Sequence, residues 1–126
     1  GTNTDPYQPI EKDRRIMRGV LEVLHAHNHP VSIVTKSTLV LRDLDILGPM
    51  AAKGLASVGL SVTTLNRNLA RRMEPRAATP PRRLHAIREL TNAGVKTFCL
   101  AAPMIPGLND HELENIVVAA VDAGAD

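Results

Sequence analysis

Three short runs rich in β-branched or apolar residues recur along this chain: Val31–Thr35, Leu60–Thr64 and Val95–Ala102. Each is separated from the next by a stretch with helical periodicity. Strands joined through helices run parallel, with right-handed crossovers. That alternation constrains the fold more than any other feature. It predicts an α/β fold of three parallel strands alternating with four helices.

The helical segments carry their own punctuation. Ile16, Val20, Val23, Leu24 and His27 share one helical face, and Asn28 and Pro30 stop that helix. Arg42-Asp43 opens a second helix bearing Leu44, Leu47, Met50 and Ala51, with Gly54 as its C-terminal cap. Residues from Asn66 to Ala78 read as a long loop or a short helix. Thr79 caps a helix whose first turn holds Pro80 and Pro81, where proline is tolerated; Leu84, Ile87, Leu90 and Thr91 follow, and Gly94 ends it. Asn109 or Asp110 caps the last helix, with Leu113, Ile116, Val117, Ala120 and Val121, and Gly124 closes it. The chain then ends where a fourth strand would begin.

Composition narrows the function classes. The 126 residues are 44% hydrophobic and 22% charged, with no apolar run long enough for a membrane span. The single Cys99 excludes an internal disulfide, fits a reducing cytoplasm and cannot by itself build a Cys-rich metal or iron–sulfur site. Net charge is +2, but Arg67, Arg71, Arg72, Arg76, Arg82, Arg83 and Arg88 crowd together with Glu74 as the one acid among them. This is either a solvated helix face or a patch for nucleic acid. Tyr7 and Phe98 are the sole aromatics, so a base-stacking platform is not expected.

In parallel α/β folds ligands bind at the carboxyl ends of the strands. The three ends here read Thr35-Lys36-Ser37, Thr63-Thr64-Leu65-Asn66 and Ala102-Pro103-Met104-Ile105-Pro106-Gly107-Leu108-Asn109. Strand alternation puts Ser32, Val34 and Lys36 on one face, Ser61 and Thr63 on one face, and Thr97, Cys99 and Ala101 on one face. These small or polar sets suit the inside of a barrel, with Val31, Ile33, Val62 and Phe98 turned to the helices. A flat doubly wound sheet would make both faces equally apolar, so a barrel arc is favoured.

Lys36 is the leading candidate. At a strand end it can hold a carboxylate or phosphate, form a Schiff base if desolvated, or simply reach solvent. Ser61 and Thr63 can bind a ligand or satisfy backbone. Asp5 can take a ribose hydroxyl or cap a helix. Glu74 can pair with an arginine or bind ligand hydroxyls. The Pro103–Gly107 segment can offer backbone groups and a flat wall to a base, or be a rigid loop. His25, His27 and His29 form a His-x-His-x-His run, which suits a helix C-terminus better than a metal. Cys99, in mid-strand, reads as a small buried hydrophobe.

Six segments occur in order: Gly1-Thr2-x-Thr4-Asp5-Pro6-Tyr7-Gln8-Pro9-x-Glu11, Thr35-Lys36-Ser37, Arg42-Asp43-x-Asp45-x-Leu47, Ser61-x-Thr63-Thr64, Glu74-Pro75-Arg76-Ala77 and Ala102-Pro103-x-Ile105-Pro106-Gly107-Leu108-Asn109-Asp110. Together they closely resemble the radical S-adenosylmethionine (SAM) proteins of the spore photoproduct lyase-like, DNA repair photolyase-related group. The resemblance implies a partial TIM barrel that binds SAM on a [4Fe–4S] cluster and cleaves it reductively to a 5′-deoxyadenosyl radical. By position, Lys36 and Ser61 would hold the methionine carboxylate or nearby polar groups. The Thr2, Thr4 and Asp5 loop would lie along the amine or ribose, and Ala102, Pro103, Ile105 and Pro106 would flank the adenine. Thr63 and Glu74 complete the cofactor-binding set.

The family's Cys-x3-Cys-x2-Cys cluster loop is not in this sequence. Residues 1–126 are therefore expected to be one partial barrel domain, about half of the family's barrel and truncated at both ends. It is expected to be inactive alone and to self-associate over its open sheet edges. DNA is a candidate substrate through the Arg67–Arg88 region. Two rival readings are a Schiff-base lyase or aldolase using Lys36, and a non-enzymatic basic nucleic-acid-binding module.

Overall fold

A computed structural model describes residues 7, 15–62, 64–74, 78–101, 107 and 109–125. Within them, β1 (Val31–Thr35), β2 (Ala56–Ser61) and β3 (Lys96–Leu100) form one parallel sheet in the order β1-β2-β3. The register pairs Ile33 with Val58 and Val58 with Thr97. The helices are α1 (Ile16–Ala26), α2 (Leu44–Ala52), α3 (Arg67–Met73), α4 (Pro80–Asn92) and α5 (Leu113–Ala123). Short 3-10 turns, Thr38–Asp43 and Asp110–Glu112, lead into α2 and α5. Among the described residues five α-helices thus stand where four were expected, because Arg67–Met73, in the stretch read as a long loop or a short helix, forms the short α3.

Element boundaries follow local chemistry. β1 has the bounds its sequence predicts. β2 begins earlier than the Leu60–Thr64 run, because Ala56 and Val58 also bury against the helices, and it ends at Ser61. Pro80 and Pro81 occupy the first turn of α4, where a missing N–H has no helical partner to lose. Asn109 and Asp110 do not cap α5 directly. The 3-10 turn intervenes, and Glu112 takes the N-cap place without a side-chain capping bond.

The core lies on one side of the sheet. Ile33, Val58 and Leu60 bury against Leu21 of α1, Leu47 and Met50 of α2, Ile87 and Leu90 of α4, and Ala120 of α5. The opposite face carries Ser32, Val34, Ser57, Gly59, Ser61, Lys96, Phe98 and Leu100, and Val34 there is 45% exposed. Sequential strand order with helices on a single face is the winding of a barrel arc rather than a doubly wound sheet.

Two face assignments differ from the sequence reading. In β3, Thr97 is buried on the helix side, where its hydroxyl meets Thr91 Oγ1 at 3.1 Å and donates to the Gly124 carbonyl at 3.3 Å. Cys99 packs on that side too, and Phe98 turns to the open face. Its ring needs the space above Gly59, which a side chain would fill. In α1 the Ile16, Val20 and Val23 stripe is exposed; Leu21 is buried, with Met17 and Leu24 packed beside it. Likewise Leu113, Val117 and Val121 of α5 face outward while Ile116 and Ala120 are buried.

Candidate functional site

The carboxyl edge of the sheet is built by a device used twice. After β1, the Ser37 N–H donates to Thr35 Oγ1 at 3.0 Å, and Ser37 Oγ accepts from the Leu39 N–H at 3.1 Å to start the first 3-10 turn. After β2, the Asn66 N–H donates to Thr64 Oγ1 at 3.1 Å, and Asn66 Oδ1 accepts from the N–H groups of Asn68 and Leu69 to cap α3. A hydroxyl at each strand exit turns the chain, and the polar residue two positions on begins the next helix. Lys36 projects from the first of these turns.

Three of the residues singled out in the sequence converge here. Lys36 Nζ lies 2.6 Å from Glu74 Oε2. The other oxygen of Glu74 accepts from Arg83 Nη2 at 3.1 Å. Arg83 Nη1 donates to the backbone carbonyl of Ser61 at 2.7 Å, and Nε to that of Ala78 at 2.9 Å. The Glu74 carboxylate is therefore gripped by two cations from different elements. Partial burial pushes its carboxyl pKa up, but the Lys36 hydrogen bond and the charges of Arg83 and Lys36 outweigh that and hold it below its ordinary range.

Arg83 was legible only as one arginine of a basic cluster. The structure removes it from that cluster: it is 3% exposed, while Arg67, Arg71, Arg72, Arg82 and Arg88 are exposed. Its place in the first turn of α4 was legible, but its approach to the end of β2 was not. Glu112 was also missed. Its carboxylate accepts from the Thr64 hydroxyl and, at 3.0 Å, from the Leu65 N–H, tying the β2 exit to the segment after β3.

A second polar cluster lies behind the β1 exit. Asp43, fully buried, accepts from the Tyr7 hydroxyl at 2.7 Å and from Arg18 Nη1 at 3.0 Å, with Arg42 Nε at 3.4 Å. The Arg42 guanidinium also sits 6.0 Å from the centroid of the Tyr7 ring. Tyr7 is thereby anchored to the turn that follows Lys36.

Of the other expected site residues, Thr2, Thr4, Asp5, Thr63, Ala102, Pro103, Ile105 and Pro106 lie outside the described residues, as does Arg76. His25, His27 and His29 fall at and just beyond the C-terminus of α1, away from the carboxyl edge.

A sheet of this winding, with Lys36, Glu74 and Arg83 clustered at its carboxyl edge, defines a barrel-type α/β protein. A family model for the radical SAM superfamily matches residues 1–120, and the chain belongs to that superfamily of enzymes. It is 36% identical to the uncharacterized protein Rv2578c of Mycobacterium tuberculosis over 99% of this chain and 37% of that protein. It is 35% identical to the uncharacterized protein MJ0683 of Methanocaldococcus jannaschii over 86% of this chain and 40% of that protein. ORF301 of Acidianus two-tailed virus is 32% identical over 97% of this chain and 41% of its own length. The chain thus spans about two fifths of these curated relatives.

Full-length members of the superfamily use SAM and a [4Fe–4S] cluster. The residues of this chain do not fit the cluster. Its one cysteine, Cys99, packs against the helix side of β3, where burial pushes the thiol pKa up, away from the thiolate a metal needs. Among the described residues no three His, Cys, Asp or Glu side chains gather as a metal site. The donor set at the carboxyl edge does suit SAM, whose methionyl end carries a carboxylate and an amine. Lys36 offers a cation and Glu74 an anion within one cluster, which Arg83 ties to the Ser61 carbonyl.

Proposed function

We propose that residues 1–126 form the SAM-facing part of a radical SAM enzyme of the spore photoproduct lyase-like group, in a single partial barrel domain. The observation that carries this reading is the convergence of Lys36, Glu74 and Ser61, through Arg83, at the carboxyl end of β1 and β2. Lys36 and Ser61 would hold the methionyl carboxylate, and Glu74, paired with both Lys36 and Arg83, would hold the Lys36 ammonium in place. When bound with its cluster, SAM supplies a 5′-deoxyadenosyl radical; the cluster ligands come from outside these residues. The Schiff-base reading of Lys36 gains no support, since this side chain is 42% exposed and paired with a carboxylate rather than sealed in a dry pocket.

The test is anaerobic reconstitution of the full-length protein with iron and sulfide, followed by reduction in the presence of SAM. Release of 5′-deoxyadenosine and methionine, and its loss in Lys36→Met, is the expected result. A brown, reduced protein that leaves SAM intact would remove the assignment.

A nucleic-acid substrate is favoured by one placement. Helix α3 leaves the same edge as Lys36 and carries Arg67, Arg71 and Arg72 into solvent. DNA binding by the full-length protein should weaken steeply with salt and be lost in Arg71→Ala/Arg72→Ala. No binding at about 50 mM salt would eliminate this substrate class. The exposed Val117 and Val121 of α5 and Ile16 and Val20 of α1 support self-association of the 126-residue chain. A monomer by light scattering would end that proposal.

A further inference from the structure

We propose that Arg83 is a positioning residue for the cofactor pocket: its three-armed fork fixes the Glu74 carboxylate, and Glu74 in turn fixes the Lys36 ammonium. The proposal rests on the reading that Lys36 meets SAM.

The sequence of α4 makes this arginine unusual. The other side chains buried along the helix are Pro80, Ala86, Ile87 and Leu90, all apolar. A Leu or Met at position 83 would fill the same space without the cost of desolvating a guanidinium. The arginine is instead tied at every arm to something specific. Nε takes the Ala78 carbonyl, Nη1 the Ser61 carbonyl and Nη2 Glu74 Oε1, at 2.9, 2.7 and 3.1 Å. A lysine is a point charge and cannot span three acceptors in one plane.

The three charges form a graded line from core to mouth. Side-chain exposure rises from 3% at Arg83 to 15% at Glu74 and 42% at Lys36. Lys36 is the most open of the three to a ligand. Lys36 stands on a flexible four-carbon stem after a strand end, so its head takes its aim from a partner. The Glu74 oxygen at 2.6 Å does that. Glu74 follows the last residue of α3 and would have its own freedom, which Arg83 removes by linking it to the end of β2. The Ser61 carbonyl is the fixed point, because β2 is the central strand, paired on both sides.

Arg83 thus never touches the ligand and acts through two intermediaries. That predicts an order of dependence which a purely structural arginine would not show. The experiment measures binding of S-adenosylhomocysteine to the full-length protein by calorimetry, alongside melting temperature. The variants are Lys36→Met, Arg83→Met and the double variant. Lys36→Met is expected to weaken binding about tenfold or more, the range of a charge-assisted hydrogen bond. Arg83→Met should weaken it to a comparable extent, and the double variant should bind no worse than Lys36→Met alone. Losses that multiply in the double variant would mean a general structural effect and overturn the inference, as would an Arg83→Met protein that binds normally. If Arg83→Met does not fold, Arg83→Lys and Glu74→Gln take its place, each paired with Lys36→Met under the same criterion. Unchanged binding in Lys36→Met would instead sink the reading of the site itself.

Discussion

The ring of Phe98 occupies the space where a side chain on Gly59 would begin: a Cβ built there would stand 2.1 Å from Phe98 Cε2. The two residues are register partners on the open face of β2 and β3. Gly59→Ala is therefore expected to destabilise the protein by about 1–3 kcal/mol, as overpacking does. Adding Phe98→Leu should recover part of that loss. Thermal unfolding of the single and double variants checks this; an equally stable Gly59→Ala would show that the ring moves freely.

Asp43 is the acceptor shared by Tyr7, Arg18 and Arg42. Asp43→Ala removes the acceptor of the buried Tyr7 hydroxyl and a carboxylate shared by the part-exposed Arg18 and Arg42, and should cost about 2–3 kcal/mol. Tyr7→Phe removes a single hydroxyl and should cost about 1 kcal/mol. Urea unfolding would rank the two. Equal losses would mean that the carboxylate is not the centre of the cluster.

Glu74 makes stability depend on acid. Its carboxyl pKa in the folded protein lies below the ordinary 4.5. Ionised Glu74 therefore contributes stability above that value, and the contribution is lost as pH falls through the folded-state pKa. Urea midpoints measured from about pH 6 to about pH 3 should fall more steeply for the native chain than for Glu74→Gln. Parallel curves would exclude a role for this carboxylate.

Cys99 should react slowly with thiol reagents in the folded chain and fast after unfolding, because burial raises its pKa and the thiolate is the reactive form. Cys99→Ala should leave the iron content of the reconstituted full-length protein unchanged. A loss of iron in that variant would make Cys99 a ligand after all.

Much of the fold was legible because its signals are local. The Val31–Thr35 strand, the Pro80-Pro81 helix start and the glycine at position 54, with φ of 71° after α2, each depend on a few neighbouring residues. The polar strand exits at Thr35-Lys36-Ser37 and Thr64-Leu65-Asn66 were visible for the same reason: side chains reaching a backbone group two positions on need no tertiary partner.

The candidate site was half legible. Lys36, Ser61 and Glu74 could be named as residues at the right edge, but their joining could not. Lys36 and Glu74 meet across a stretch of chain that holds α2, β2 and α3, and Glu74 is held by an arginine that composition assigns to a surface patch. Burial of Arg83 depends on the distance between α4 and the end of β2, which no local pattern encodes.

By itself, the sequence determined that strands and helices alternate, that the sheet is parallel, and that polar residues stand at the exits of β1 and β2. Tertiary structure decided which side of each element is inside. A two-residue period separates Phe98 from Thr97 and Cys99 but is symmetric between the two faces of the sheet. The symmetry is broken only by neighbours: the gap over Gly59 admits the Phe98 ring, and Thr91 and the Gly124 carbonyl receive the Thr97 hydroxyl.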